Sequence, residues 1–386
     1  MGASDPIRCR ACGSEEGCTV LDLGRQPAAD DFPLASDPGP ERRHPLSLWW
    51  CAACGLAQLP DATGLRSPVP EEPLAIEPMA SVVQASGAVD DLLWSGLIAP
   101  GTFREFPSPH GGSWGASLRR RGFARVVDGP ADVVVDVYGL MHEPDQASAL
   151  RARVDAMAED GVLLLQFPTV AATLRHGEWN AVRHGHFAYH SVPAASRLLA
   201  AAGLEIMAGR SYPLYGGSVL LVASRAGRRT TSHDEAARLA ALRQEELLAG
   251  VLDPGRLASL DAAVAADVAR LRGWVTRQPG GAFLYGAGSR AVALLATAGL
   301  PAGSVRGIGD GSPAKQGRRM PGTSIPIVAP ERLVSADPGE VLLLLPDLLP
   351  ELRRALPTLA GRWVVYGATI SSRGNGNTRR APHSRT

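Results

Sequence analysis

The chain has almost no net charge, no long apolar run and very little cysteine, and each shortage removes a class of function. Formal net charge is +1 and 20% of residues are charged, so there is no electrostatic ground to expect a nucleic-acid or membrane-surface partner. No apolar stretch approaches the length and uniformity of a spanning helix. The start MGASDPIRCRACG also lacks the basic, apolar, small-residue order of a secretory signal. A soluble cytoplasmic protein is the expectation. An apolar share of 45% is ample for burial, and 386 residues is long for one core, which points to two or three domains. Alanine, arginine, glycine and proline are heavily used, as a GC-rich coding bias would produce, and this is not read as disorder.

Cysteine is scarce and unevenly spread. Four of the five form two pairs, Cys9-Arg-Ala-Cys12 and Cys51-Ala-Ala-Cys54, each followed by glycine. A Cys-x-x-Cys-Gly knuckle turns the backbone so that two thiolates converge on one ion, and two knuckles complete a tetrahedral site. The spacing predicts a zinc ribbon with Cys9, Cys12, Cys51 and Cys54 as ligands and Cys18 as a spare thiol. Four thiolates close the coordination shell, so the zinc is structural and does no chemistry.

After the ribbon, LPDATGLRSPVPEEPLAIEP reads as a linker. ADVVVDVYGLM, GVLLLQFP and SVLLVASR read as buried strands, with ASRLLAAAGL as a helix that stops at glycine. HDEAARLAALRQEELLAGV and LASLDAAVAADVARLRGWV have helical period and predict two bridging helices. A second α/β unit shows strands at GAFLYGAG, VRGIGD, EVLLLLP and RWVVYGA, and the polar tail SSRGNGNTRRAPHSRT is expected to be disordered.

The order of these pieces resembles the sugar C-methyltransferase family, which alkylates nucleotide-linked keto-deoxysugars in antibiotic biosynthesis. The resemblance rests on CRACG, QPAADDFP, HPLSLWWCAACGLAQL, HEPD at 142–145, RHGHFAYHS at 183–191, YGGS at 215–218, YGAGSRAVALL and IGDGSPAKQGRRMPGTSIPI. It implies an α/β protein in three parts: an N-terminal zinc ribbon, a central degenerate Rossmann-like methyltransferase domain and a C-terminal Rossmann-like α/β domain that helps hold the nucleotide-sugar. The expected boundaries are 1–66 for the ribbon, 67–226 for the central domain, 227–275 for a helical connector, 276–372 for the C-terminal domain and 373–386 for the tail.

The family's first cofactor turn follows an acidic strand end with a Gly-x-Asn-Asp-Gly type loop; here the stretch is Glu105-Phe-Pro-Ser-Pro-His-Gly111. Pro109 and His110 replace the polar pair, and proline removes an amide donor. Asp128 stands where a ribose-binding acid is expected, yet GPADVVVDV follows almost at once, leaving no room for the family's extra helix and strand. Upstream, MASVVQASGAVDD carries no tyrosine. Glu105, Gly111 and Asp128 are therefore read as a vestigial cofactor site, and S-adenosylmethionine is expected to bind weakly or not at all.

The sugar side keeps more. The family's Tyr-His-Glu-His loop reads Arg183-His184-Gly185-His186. His186 matches the family's base, assisted by His184 or His142, and imidazole suits proton abstraction beside a ketone because its reference pKa lies near working pH. Arg183 adds a cation suited to a diphosphate or an enolate oxygen. Tyr189, His190, Gly217 and Ser218 would complete a polar wall, with Tyr285, Gly286, Asp310 and Lys315, and beside them Gln316, as contacts to a nucleotide-linked sugar. Three readings stand: an enzyme that enolises a nucleotide-linked keto sugar without alkylating it, like an epimerase or isomerase; an active C-methyltransferase; and a non-catalytic scaffold or partner.

Overall fold

The computed structural model of the chain describes residues 6–37, 39–60, 77–108 and 114–367. Most of the expected linker, the expected disordered tail, and Gly111 with Pro109 and His110 lie outside the described residues.

The chain begins with β1 (Gly17–Pro27), β2 (Arg43–Cys51) and β3 (Ala57–Gln58). Next come α1 (Met79–Trp94), β4 (Thr102–Glu105), α2 (Trp114–Arg120), β5 (Ala124–Arg125), β6 (Ala131–Val137), α3 (Gln146–Asp155), β7 (Met157–Pro168), α4 (Val170–His176), β8 (Ala188–Tyr189), α5 (Val192–Ala201), β9 (Leu204–Tyr212) and β10 (Ser218–Arg225). Three helices follow, α6 (His233–Leu248), α7 (Pro254–Ala258) and α8 (Leu260–Thr276). The last part holds β11 (Ala282–Tyr285), α9 (Ser289–Ala298), β12 (Val305–Gly309), β13 (Ile327–Val328), α10 (Pro330–Ala336), β14 (Val341–Leu343), α11 (Leu349–Ala355) and β15 (Trp363–Val365).

These elements form three sheets, ordered β1-β2-β3-β8, β5-β4-β6-β7-β10-β9 and β13-β12-β11-β14-β15. The architecture is the α/β one read from the sequence, a cysteine-bearing ribbon followed by two Rossmann-like sheets. In the ribbon, β1 and β2 pair antiparallel from Gly17 opposite Cys51 to Pro27 opposite Arg43. Gly17 is required there, since a Cβ would stand 2.2 Å from the Trp50 carbonyl oxygen and 2.3 Å from the Trp49 ring. The ribbon is not an appendage: Leu21, Leu46, Leu48 and Trp50 share one core with Leu174, Trp179, Trp274, Leu284 and Leu294.

In the central sheet β5, β4, β6 and β7 run parallel, and β10 lies antiparallel between β7 and β9. Parallel strands are covered on both faces, which is why ADVVVDV and GVLLLQFP are almost continuously apolar. One face is covered around Phe103, Trp114 and Leu118, the other around Leu150, Leu163 and Leu199. The edge strand β5 has two residues, and the chain turns through 126–130 directly into β6. The C-terminal sheet is parallel throughout.

The connector has three helices where two were expected. Asp253 accepts the Gly255 amide at 2.8 Å as an N-cap with Pro254 at the first helical position, so a short separate helix starts there. The strand LEIMAGRSY of β9 was not read from the sequence, because its alternation is interrupted by glycine and arginine.

One buried ion pair orders the end of β6. Asp136 is wholly buried; it accepts the Gly139 and Leu140 amides at 2.8 and 3.0 Å and pairs with Arg153 Nε at 2.8 Å. The Arg153 guanidinium also lies 4.3 Å from the Phe106 ring centroid, just past β4. Breaking a buried pair by removing one partner strands the other charge, at about 3–5 kcal/mol. Arg153→Met is therefore expected to lower urea-unfolding stability by that amount, and a loss below about 1 kcal/mol would assign the anchoring to the two amides instead.

Candidate functional site

The two knuckles form as their spacing requires. The Gly13 amide donates to the Cys9 carbonyl at 2.9 Å and the Gly55 amide to the Cys51 carbonyl at 2.8 Å, both glycines being left-handed at φ 74° and 78°. The four ligand atoms of Cys9, Cys12, Cys51 and Cys54 lie within 4.8 Å of one another. Cys9 and Cys54 sulfurs are 3.4 Å apart, and those of Cys12 and Cys51 3.7 Å. A tetrahedron with Zn–S near 2.3 Å has edges of about 3.8 Å, so the donor set fits zinc. Cys18, on β1, is exposed and outside the cluster. The hydrogen bond with Cys54 holds the Cys9 thiol down to about 5 and pushes Cys54 up, while burial pushes Cys51 up to about 11. A cation at the centre would offset the burial that holds Cys51 and Cys54 in the thiol form.

The ribbon extends into the predicted reactive loop. β8, inside RHGHFAYHS, is the fourth strand of the ribbon sheet, with Ala57 opposite Tyr189 and Gln58 opposite Ala188. Arg10, inside the first knuckle, donates to the Leu59 and Pro144 carbonyls and stacks 5.1 Å from the Phe187 ring centroid. Arg183 pairs with Asp30 of the ribbon at 3.0 Å, and its amide donates to the Tyr189 hydroxyl at 2.9 Å. Every residue from Ala181 to His190 is buried.

Within this frame His142 and His186 meet edge to face, ring centroids 4.7 Å apart, with Tyr189 6.0 Å from His186. His142 Nδ1 lies 2.7 Å from the Gly185 carbonyl oxygen. A carbonyl only accepts, so Nδ1 carries the proton and Nε2 is the ring's acceptor. Burial, helped by the Arg183 charge, lowers His142 to about 3. His184 turns away from the pair: its Nε2 lies 3.1 Å from the Pro45 carbonyl and its ring packs on His44. His190 reaches Gln146 at 3.0 Å, and burial lowers it to about 4.

A cavity of about 720 Å³ opens between the central sheet, the connector helices and the C-terminal sheet. Gly217 and Ser218 line it, as do Tyr215, Glu178, Arg290 and Asp347. None of the 183–190 side chains is among its described lining residues. Its wall is fixed by a strained turn. Tyr215 is left-handed at φ 55°, its amide donates to Asp347 at 3.1 Å, and its carbonyl accepts from Arg290 at 2.9 Å. Arg290 also pairs with Glu178 at 2.9 Å. Arg290 and Asp347 escaped the sequence reading; the signal for Arg290 was its place just inside the helix after YGAGS.

Asp310 and Lys315 brace the YGAG loop from within. Asp310 accepts the Ala287 and Ser312 amides, both at 2.9 Å, and Lys315 Nζ donates to the Ala287 carbonyl at 2.9 Å. Gln316 donates to the Asp310 carbonyl at 3.1 Å. Tyr285 packs edge to face on Trp363, and Gly286 is left-handed at φ 98°. On the cofactor side, burial raises the Glu105 carboxyl although the Gly115 amide of α2 donates to it. Asp128 lies exposed on the turn between β5 and β6.

Residues 213–366 match the family model described as "C-methyltransferase C-terminal domain", and residues 9–64 that described as "Putative zinc binding domain". C-methyltransferase NovU of Streptomyces niveus is 27% identical over 219 residues, 56% of this chain and 52% of its own. The chain thus spans about half the length of this curated relative. Among solved structures, mitomycin 7-O-methyltransferase MmcR is 20% identical at a TM-score of 0.30, covering 38% of this chain and 54% of its own. Magnesium protoporphyrin IX methyltransferase from Synechocystis is 14% identical at 0.28, covering 38% and 84%. No helix among the described residues is long and apolar enough to cross a membrane.

Since β3 and β8 share one sheet, metal removal is expected to reach the histidine loop. Elemental analysis should find one zinc per chain, and chelation or Cys51→Ser should raise amide exchange across 183–190 together with the ribbon. Zinc-free protein as purified, or exchange that rises in the ribbon alone, would contradict this.

Proposed function

From the match of residues 213–366 to a C-methyltransferase C-terminal domain, we propose that the chain acts on a nucleotide-linked keto-deoxysugar in natural-product biosynthesis, moving a proton beside the ketone without transferring a methyl group. The observation that carries this reading is the edge-to-face pair of half-buried His142 and buried His186. Abstraction beside a ketone needs a neutral imidazole held in one orientation. The Gly185 carbonyl supplies the orientation of His142, and burial keeps that ring neutral across the physiological range. In the proposed step His186 takes the proton, and the C–H electron pair moves into the enolate. Return of the proton from His186 to the same face of the carbon regenerates the ketone, and inversion would need a second acid on the opposite face.

The cofactor side supports a step without methyl transfer. Open α/β sheets take ligands beyond the strand ends at the point where strand order reverses, here between β4 and β6. The Phe106–Arg153–Asp136 stack occupies that rim, and the Pro107 carbonyl stands 2.8 Å from where a Cβ on Gly139 would be. The direct turn from β5 into β6 leaves no helix or strand to cover an adenine. On this reading these features weigh against S-adenosylmethionine. The surviving strand reversal itself favours a second reading, an active C-methyltransferase. The complete burial of 181–190 favours a third, a scaffold in which the loop is a strap.

His186→Ala is expected to cut solvent-deuterium exchange beside the ketone by about 10²- to 10⁴-fold, with nucleotide binding unchanged. S-adenosylmethionine is expected to bind more weakly than micromolar, a level that corresponds to about −8 kcal/mol. Micromolar binding restores the methyltransferase reading; absence of exchange with every nucleotide-linked keto sugar leaves the scaffold.

A further inference from the structure

Residues 169–192 leave the central sheet after β7, carry Glu178, Asn180 and the loop histidines, and return at α5. The two ends of this excursion are held by a side chain from outside it. Glu246, on α6 and 1% exposed, accepts from the Thr169 hydroxyl with one oxygen and from the Val192 amide with the other. Thr169 is the N-cap of α4 and Val192 the first residue of α5, so one carboxyl joins the starts of two helices. The same neck carries the Val170 amide on the His190 carbonyl at 2.9 Å and the Thr169 amide on the Gly217 carbonyl at 3.1 Å. Thus the histidine loop, the glycine turn of the cavity wall and the connector helix meet at Glu246, which itself lines the cavity.

We propose that Glu246 is a positioning residue: its neutral carboxyl clasps the neck of the 169–192 excursion, and its ionisation loosens the neck. Two opposing forces are at work on it. Helix starts and donated hydrogen bonds favour the anion, while near-complete burial favours the acid. Burial prevails, raising the group to about 7 against the bonds from Thr169 and Val192. Arg175 of α4 and Glu245 of its own helix act on its charge; His176 of α4 and Asp267 and Arg270 of α8 line the same cavity, and His190, just after β8, joins the neck through its carbonyl. Arg175 pairs with Glu245 at 2.7 Å, and Arg270 pairs with Asp267, so neither cation is committed to Glu246. His190 stays neutral above about 4.

The sign follows from the raised folded value. Below the unfolded value of 4.5 both states hold the proton and the contribution of Glu246 is complete. It declines as pH rises from there and is lost through about 7. A glutamine has the shape of the neutral acid and no charge to lose.

The test is hydrogen exchange by mass spectrometry on the full-length, zinc-loaded chain at pH 6 and pH 8, corrected for intrinsic chemistry. In the wild type, peptides within 170–191 are expected to open about 10-fold more at pH 8, with peptides of β11 and β12 unchanged. In Glu246→Gln, where His176 is intact, the pH response of 170–191 should vanish. Thr169→Val removes the bond that favours the anion and should move the wild-type midpoint upward, an independent check if the glutamine variant folds poorly. An unchanged pH response in Glu246→Gln, a downward midpoint in Thr169→Val, or a response spread over the whole chain would overturn the proposal. The link to turnover rests on the proton-transfer reading above. On that reading the alkaline decline of exchange beside the ketone should disappear in Glu246→Gln while substrate KM holds. If the loop responds to pH as stated and no turnover exists, the clasp stands and the reaction reading falls.

Discussion

The pairing of β3 with β8 is the contact on which the rest of the arrangement depends. β3 is two residues long and lies just after the second cysteine knuckle, so its position is dictated by the cluster of Cys9, Cys12, Cys51 and Cys54. By adding β8 to its open side, the ribbon gives the buried backbone of Ala188 and Tyr189 hydrogen-bond partners that the central sheet does not supply. Arg10 and Asp30 extend the same hold through charge, one to the carbonyls flanking the loop and one to Arg183. A metal module far from the loop in sequence thus sets the geometry at His186.

Burial explains both the cost and the use of this arrangement. Imidazoles in a dry site lose basicity, so His142 and His190 remain neutral and serve as hydrogen-bonding groups with defined tautomers. The same desolvation raises Glu246, whose environment is set by two helix starts and a connector helix. Groups of opposite charge type are driven to the same neutral condition by one cause. Where charge is kept, as at Asp136 and Arg153, it is kept in pairs with amides and a ring to share the field.

The C-terminal part braces the central one at the Tyr215 turn. A left-handed tyrosine is costly for the backbone, and Tyr215 persists because Asp347 and Arg290 occupy its amide and carbonyl. Gly216 is left-handed at φ 83°, where a side chain would be strained, and an added Cβ would also displace the Glu178 carboxylate. The cavity wall is therefore built by both sheets, and neither alone accounts for its shape.

What the sequence determined by itself was local chemistry with a fixed period. Paired cysteines with a following glycine can close only one kind of turn, and apolar runs such as GVLLLQFP have to be covered on both sides, so the ribbon and the two α/β sheets were legible from residue order. The direct passage from Asp128 into β6 was legible for the same reason, as too few residues lie between. Which histidines meet was not legible: His142 and His184 flank His186 in the sequence reading alike, yet His142 packs against it and His184 turns to Pro45. The difference comes from β8 joining a strand remote in sequence, a choice made by backbone pairing rather than by any side-chain pattern. Arg290, Asp347 and Glu246 stayed hidden for a related reason. Each looks like an ordinary surface charge in its own helix or turn, and only the packing of one sheet and its connector against another buries Glu246, half-buries Arg290 and Asp347, and gives each a partner.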